Sequence, residues 1–256
     1  MLARRGRRRI RMVWMRPMET NAGQPASRAK AAQIAPLWHT VGLLIILPAF
    51  VWVTFRWQSH SLAVGEQHHG NAVHYLFVIG SQWAMAMYIW LGGLVPGAAR
   101  LRDIIGGRWM NLRQVLRDVA IAAGFWIVFE GVGALSSFVG RPSHAGSLQF
   151  VNPLGAIEVT LWVVMSMTSG FCEELVFRGY FQKQFLALTR SAAFAVLGQA
   201  VLFGICHWYQ GVKQVILISV LGALFGILAQ WRKSLRPGMI AHAWADVFNV
   251  IPTPFR

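Results

Sequence analysis

The chain has 256 residues, 55% of them apolar and only 13% charged, about half the charged fraction of a soluble domain. That deficit excludes an ordinary soluble fold, because it is concentrated in long runs close to the roughly 20 residues that span hydrocarbon as a helix. The net charge of +15 would suggest nucleic acid in a soluble protein, but the way it is distributed argues against a nucleic-acid partner.

Residues 1–36 read as a basic, disordered tail: Arg4, Arg5, Arg7, Arg8, Arg9 and Arg11, then a polar stretch ending at Pro36. No apolar segment follows the arginines directly, so the tail is not a secretory signal, and Met12, Met15 and Met18 offer alternative starts. Residues 37–256 read as one transmembrane helical domain. Spans are expected at about 37–55, 74–95, 119–139, 157–177, 191–209, 214–231 and 238–253, seven in all, or eight. The runs are continuous rather than alternating, and backbone in lipid must satisfy its own hydrogen bonds, so the class is all-α. Lys and Arg fall as nine before the first span, then one, five, one, three, one, three and one. This alternation is the positive-inside pattern. It puts the N-terminus in the cytoplasm and implies a multi-pass protein of the bacterial plasma (inner) membrane. Attraction to anionic membrane lipid is a secondary effect.

Ionisable groups inside lipid are costly and commonly functional. Glu130, Glu173, Glu174 and Asp246 fall at membrane depth, as do His207 and His242, whereas Asp118 reads as a loop residue and His39 as a span edge. In Glu173-Glu174-Leu-Val-Phe-Arg178, Glu174 and Arg178 are four apart and stack on one helix face, able to pair. Glu173 is rotated about 100° away and has no local cation. Such a pair separates a carboxylate held as a structural ion from one suited to act as a base. In Phe203-Gly-Ile-Cys-His207 the ring of Phe203 can pack on the imidazole. In His242-Ala-Trp-Ala-Asp246 imidazole and carboxylate share a face, joined by Asn249. Glu173 lies 17 residues before Arg190 and His207 lies 17 after it. Across an antiparallel hairpin that offset means equal depth, roughly 25 Å from the turn. The amphipathic piece from Arg178 to Arg190 is expected to project beyond the hydrocarbon.

These three motifs, EExxxR, FxxxH and HxxxN/D, occur in that order on successive spans, within a core of 155–253. At these residues the sequence resembles the CAAX protease and bacteriocin-processing (CPBP, or Abi) family of intramembrane endopeptidases. The resemblance implies that Glu173 is the general base with His207 assisting, and that His242 and the residue four later hold the developing oxyanion. Glu174 and Arg178 would brace the site. Members often carry Asn at the last motif position, and Asp246 cannot donate through an amide. Either Asp246 supports His242 as an acceptor, or Asn249 supplies the donor. The family has been described both as metalloproteases and as glutamate-dependent proteases. Accordingly the cofactor is either none or a divalent metal such as zinc, with Glu173, His207 and His242 as ligands; the absence of HExxH tilts towards the metal-free mechanism. The implied substrate is a membrane-associated protein or peptide, prenylated if the host makes such proteins.

Other readings are blander. Cys172 and Cys206 are packing residues, Glu130 is structural, and Gly222 with Gly226 form a helix-packing face. A non-catalytic membrane scaffold or immunity protein of the same fold, or a haem protein using His207 and His242, are the competing functions.

Overall fold

A computed structural model describes residues 33–63, 70–96, 100–137 and 153–248; residues 1–32 of the basic tail and Asn249 lie outside them. Among the described residues the protein is helical and contains no strand. The helices are α1 (Leu37–Ala63), α2 (Gly70–Tyr88), α3 (Leu101–Ile105), α4 (Leu112–Ser137), α5 (Gly155–Glu174), α6 (Gln182–Thr189), α7 (Ala192–Ile205), α8 (Val212–Arg232) and α9 (Arg236–Phe248). A π-helical turn, Ile89–Leu94, extends α2, and a second, Leu175–Phe181, joins α5 to α6 without a break.

Polarity is inverted relative to a soluble bundle. Ile45, Trp52, Leu135, Ile157, Met167, Ile216 and Ile227 face outward, while Gln82, Ser169, Glu174, Arg178, Gln182, Gln184 and Gln199 are buried. Apolar side chains outside and polar side chains inside are what a lipid solvent favours. Among the described residues five stretches are long and apolar enough to cross a membrane: Leu37–Arg56, Asn71–Leu94, Leu112–Leu135, Gly155–Thr189 and Val212–Arg232. The protein is an integral, multi-pass helical membrane protein. The two remaining expected spans correspond to shorter helices, α7 with 14 residues and α9, described over 13. Helix α7 stops at Ile205 because the chain turns at Cys206 and His207 and then bends through Gly211 (φ 95°).

Helix α5 packs between α2 and α9, α4 covers α9, and α7 lies against α6 and α8. From α5 through the π turn to α6 the helix runs 35 residues, roughly 50 Å at 1.5 Å per residue. It ends at Arg190, in the left-handed region (φ 57°), whose N–H bonds the Leu186 carbonyl at 2.8 Å. Ser191 then caps α7 by accepting the Phe194 N–H at 3.2 Å, so the hairpin turns at Arg190 as its spacing suggests.

The Arg178–Arg190 piece is held by the residues before α1 and by α3: Gln184 donates to the Ala35 carbonyl at 2.8 Å and accepts the Ile34 N–H at 2.9 Å, and Lys183 donates to the Ile104 carbonyl at 3.4 Å. Asp118 departs from the sequence expectation, and the burial of His39 goes beyond it. Asp118 is a buried residue of α4 rather than a loop residue, paired with Arg232 at 3.2 Å and Arg236 at 3.3 Å, with Trp109 donating at 2.9 Å. It thus ties α4 to α8 and α9. His39 is fully buried, its Nε2 bonded to the Tyr88 carbonyl at 3.0 Å and its Nδ1 to the Tyr180 hydroxyl at 2.7 Å. In each case a polar residue near a span end found partners on helices distant in sequence.

Candidate active site

The last turn of α5 delivers Glu173 and Glu174. Four residues on, inside the π turn, Arg178 Nη1 donates to Glu174 Oε1 at 2.8 Å, both side chains being essentially inaccessible. A buried ion pair is tolerated only when its remaining hydrogen-bonding groups are also held. Arg178 Nη2 reaches the Gly222 carbonyl of α8 at 3.2 Å, and the guanidinium lies 4.4 Å from the Phe203 ring centroid and 5.1 Å from that of Phe225. Gly222 and Gly226 belong to this contact. An added Cβ on Gly222 would stand 3.2 Å from Ala200 Cα, and the Gly226 carbonyl accepts from Gln182 at 3.0 Å. The small-residue face therefore lets α8 carbonyls approach the polar side chains of the π turn and α6.

The same oxygen, Glu174 Oε1, bonds His242 Nδ1 at 3.1 Å. Glu174 is therefore a junction, fixing Arg178 on its own helix and the imidazole of α9 across from it. This fixes the His242 ring with Nε2 pointing to Glu173 Oε2 at 3.7 Å and Asp246 Oδ2 at 3.8 Å. Both separations exceed a direct hydrogen bond, so the three groups approach without closing on one another. Glu173 is partly exposed, at 21% of its side chain, and its other oxygen accepts from Gln82 Nε2 of α2 at 2.9 Å.

His207 sits in the turn beyond α7. Its Nδ1 bonds the Phe203 carbonyl at 2.9 Å; a carbonyl only accepts, so Nδ1 carries the proton and the neutral ring keeps a lone pair on Nε2. Phe203 stands edge-on to His207, centroids 5.0 Å apart, and edge-on to His242 at 6.0 Å. One aromatic ring therefore spaces both imidazoles. Tyr209 stacks on His207 at 6.3 Å and accepts from Gln210 at 3.1 Å.

The sequence-selected residues Glu173, Glu174, Arg178, His242 and Asp246 form one cluster, with His207 linked to it through Phe203. Gln82 and Tyr209 were not foreseen. Gln82 carries a weak signal, an amide in the middle of an apolar run; for Tyr209 nothing in its spacing from His207 distinguishes it. Among the described residues no three His, Cys, Asp or Glu side chains converge to hold a metal ion, so the set Glu173, His207 and His242 does not fit zinc as it stands.

The fold and this cluster define a polytopic helical membrane protein with a carboxylate–imidazole centre enclosed by its helices. Residues 155–248, from α5 to α9, match the family model described as type II CAAX prenyl endopeptidase Rce1-like. This is the CAAX protease family that the three motifs resemble, and over these residues the chain is similar to it. No curated protein and no solved structure matches the chain.

Proposed function

We propose that the protein is an intramembrane endopeptidase that hydrolyses a peptide bond of a membrane-associated protein or peptide. The observation that supports this best is the approach of Glu173 on α5 and His242 on α9 to 3.7 Å, with His242 held by Glu174. Glu173 takes a proton from a water molecule, which attacks the scissile carbonyl. His207, with its Nε2 lone pair, assists in that proton transfer. When protonated on both nitrogens, His242 donates from Nδ1 to Glu174 and offers Nε2–H to the tetrahedral oxyanion. Asp246 acts as an acceptor that supports this ring, since a carboxylate cannot donate to an oxyanion; the donor from Asn249 remains part of the proposal. Glu174 and Arg178 brace the centre. The proton held by Glu173 then passes to the leaving amine.

Prenylated proteins ending in a Cys-aliphatic-aliphatic-X sequence are the substrate class that the family description suggests, and the bacterial plasma membrane is the proposed location. The test compares purified protein with Glu173→Gln on a farnesylated peptide of that type and on the same peptide without the lipid, each with and without chelator. Cleavage by the wild type that is lost in Glu173→Gln at unchanged melting temperature supports the proposal. A Glu173→Gln variant that still cleaves, or that keeps a cellular role in full, favours the non-catalytic scaffold instead.

A further inference from the structure

The family match begins at residue 155, yet the side chain bonded to Glu173 comes from the first half of the chain. Gln82 lies on α2, is 4% exposed, and points both hydrogens of its amide nitrogen at α5: to Glu173 Oε1 at 2.9 Å and to Ser169 Oγ at 3.0 Å. Ser169 and Glu173 are four apart and so share the face of α5 turned to α2. The amide cannot be flipped, because its carbonyl oxygen would then face a carboxylate.

Gln82 Oε1 is buried and has no hydrogen-bond partner among the described residues. Orphaned buried acceptors are rare in native structures and call for a reason. A leucine or methionine of similar volume would fill the same space without one. What glutamine adds is the donor pair. Because Oε1 of Glu173 is held by that donor, Oε2 is the oxygen left facing His242 at 3.7 Å.

We infer that Gln82 is the positioning residue of the general base: it anchors one carboxylate oxygen of Glu173 so that the other is presented to the reacting water. This rests on the endopeptidase reading, and it gives the helices before residue 155 a part in the chemistry. Gln82 touches neither water nor substrate in this role; it acts through Glu173.

Gln82→Leu separates positioning from packing. It removes an orphaned acceptor together with the donor to Glu173, two effects of opposite sign, so its melting temperature in detergent should stay within about 3 °C of the wild type. On the farnesylated peptide kcat should fall about 10- to 100-fold with KM nearly unchanged, and the acidic limb of the pH profile should move up by about one to two units, as expected when a charged acceptor loses a donor. Ser169→Ala, which keeps the bond to Glu173, should lose far less. Infrared titration of the carboxyl band that disappears in Glu173→Gln reads the same contact without substrate, and that band should appear at higher pH in Gln82→Leu. An unmoved band, or a variant that loses stability and KM together, overturns the inference. Absence of cleavage by the wild type, with the band shifted as stated, would overturn the endopeptidase reading and leave the Gln82–Glu173 contact standing.

Discussion

At Glu174 a single carboxylate oxygen receives Arg178 at 2.8 Å and His242 at 3.1 Å, and this arrangement sets what substitution there should do. Glu174→Gln leaves the Arg178 guanidinium buried without its counter-charge, a change that costs about 3–5 kcal/mol in comparable buried pairs, and it loosens His242 as well. Chemical or thermal unfolding in detergent checks the first effect. Glu174→Gln combined with Arg178→Met removes both charges, so much of the stability should return, while cleavage should not, because His242 no longer has a carboxylate to stabilise its protonated ring. Recovery of activity along with stability would show that Glu174 serves the fold alone. The Glu174–Arg178 pair was legible in the sequence because i, i+4 spacing on one helix is a local rule. The Glu174–His242 bond was not: it exists only because α5 and α9 pack together, and spacing along the chain says nothing about that. Asp118 was misplaced, and the burial of His39 missed, for the same reason. A hydropathy window locates span ends but cannot tell a solvated polar residue from one tied to Arg232 and Arg236 or to Tyr180.

Between helices, the contact that carries His242 to the site is the crossing of α5 and α9 at Gly170. A Cβ built on Gly170 would stand 2.7 Å from both the Ala243 nitrogen and the Met239 carbonyl. Those atoms are backbone and cannot rotate aside. Gly170→Val should therefore push α9 outward, with a loss of about 1–3 kcal/mol typical of overpacking and a larger proportional loss of cleavage. Gly80→Ala is the matched control. It also lies within a helix, nothing approaches an added Cβ within 4 Å, and a helical Gly→Ala should be neutral or stabilising by up to about 1 kcal/mol. Equal effects of the two substitutions on unfolding would contradict the close α5–α9 crossing. The π turn over Leu175–Phe181 was invisible beforehand, since its residues read as ordinary helix. It places Arg178, Tyr180 and Gln182 where α1, α7 and α8 can use them, a common habit of π turns at functional sites. The turn at Arg190, by contrast, was readable from the charge and the symmetric offsets of Glu173 and His207. The end of α7 at Ile205 was not, because His207 leaves the helix to bond back to Phe203.

Over the whole molecule, the hydropathy runs gave the helical class and the multi-pass character, and lipid-facing apolar residues such as Ile45, Leu135 and Ile216 bear that out. The number of full-length spans was less legible, since α7 and α9 are shorter than the apolar runs that contain them. Sidedness rests on the alternating Lys and Arg count. It predicts that a cysteine placed at Arg190, in protein whose Cys172 and Cys206 are replaced by Ala, reacts with an impermeant maleimide only from the cytoplasmic side of sealed vesicles. Labelling from the opposite side alone would reverse the orientation. The central claim, that Glu173 drives hydrolysis inside this bundle, is tested most directly by following cleavage of the farnesylated peptide by wild type and Glu173→Gln at matched melting temperature. The account predicts turnover in the wild type and at least a 100-fold lower rate in the variant, the scale of losing a general base; equal rates in the two proteins would contradict it.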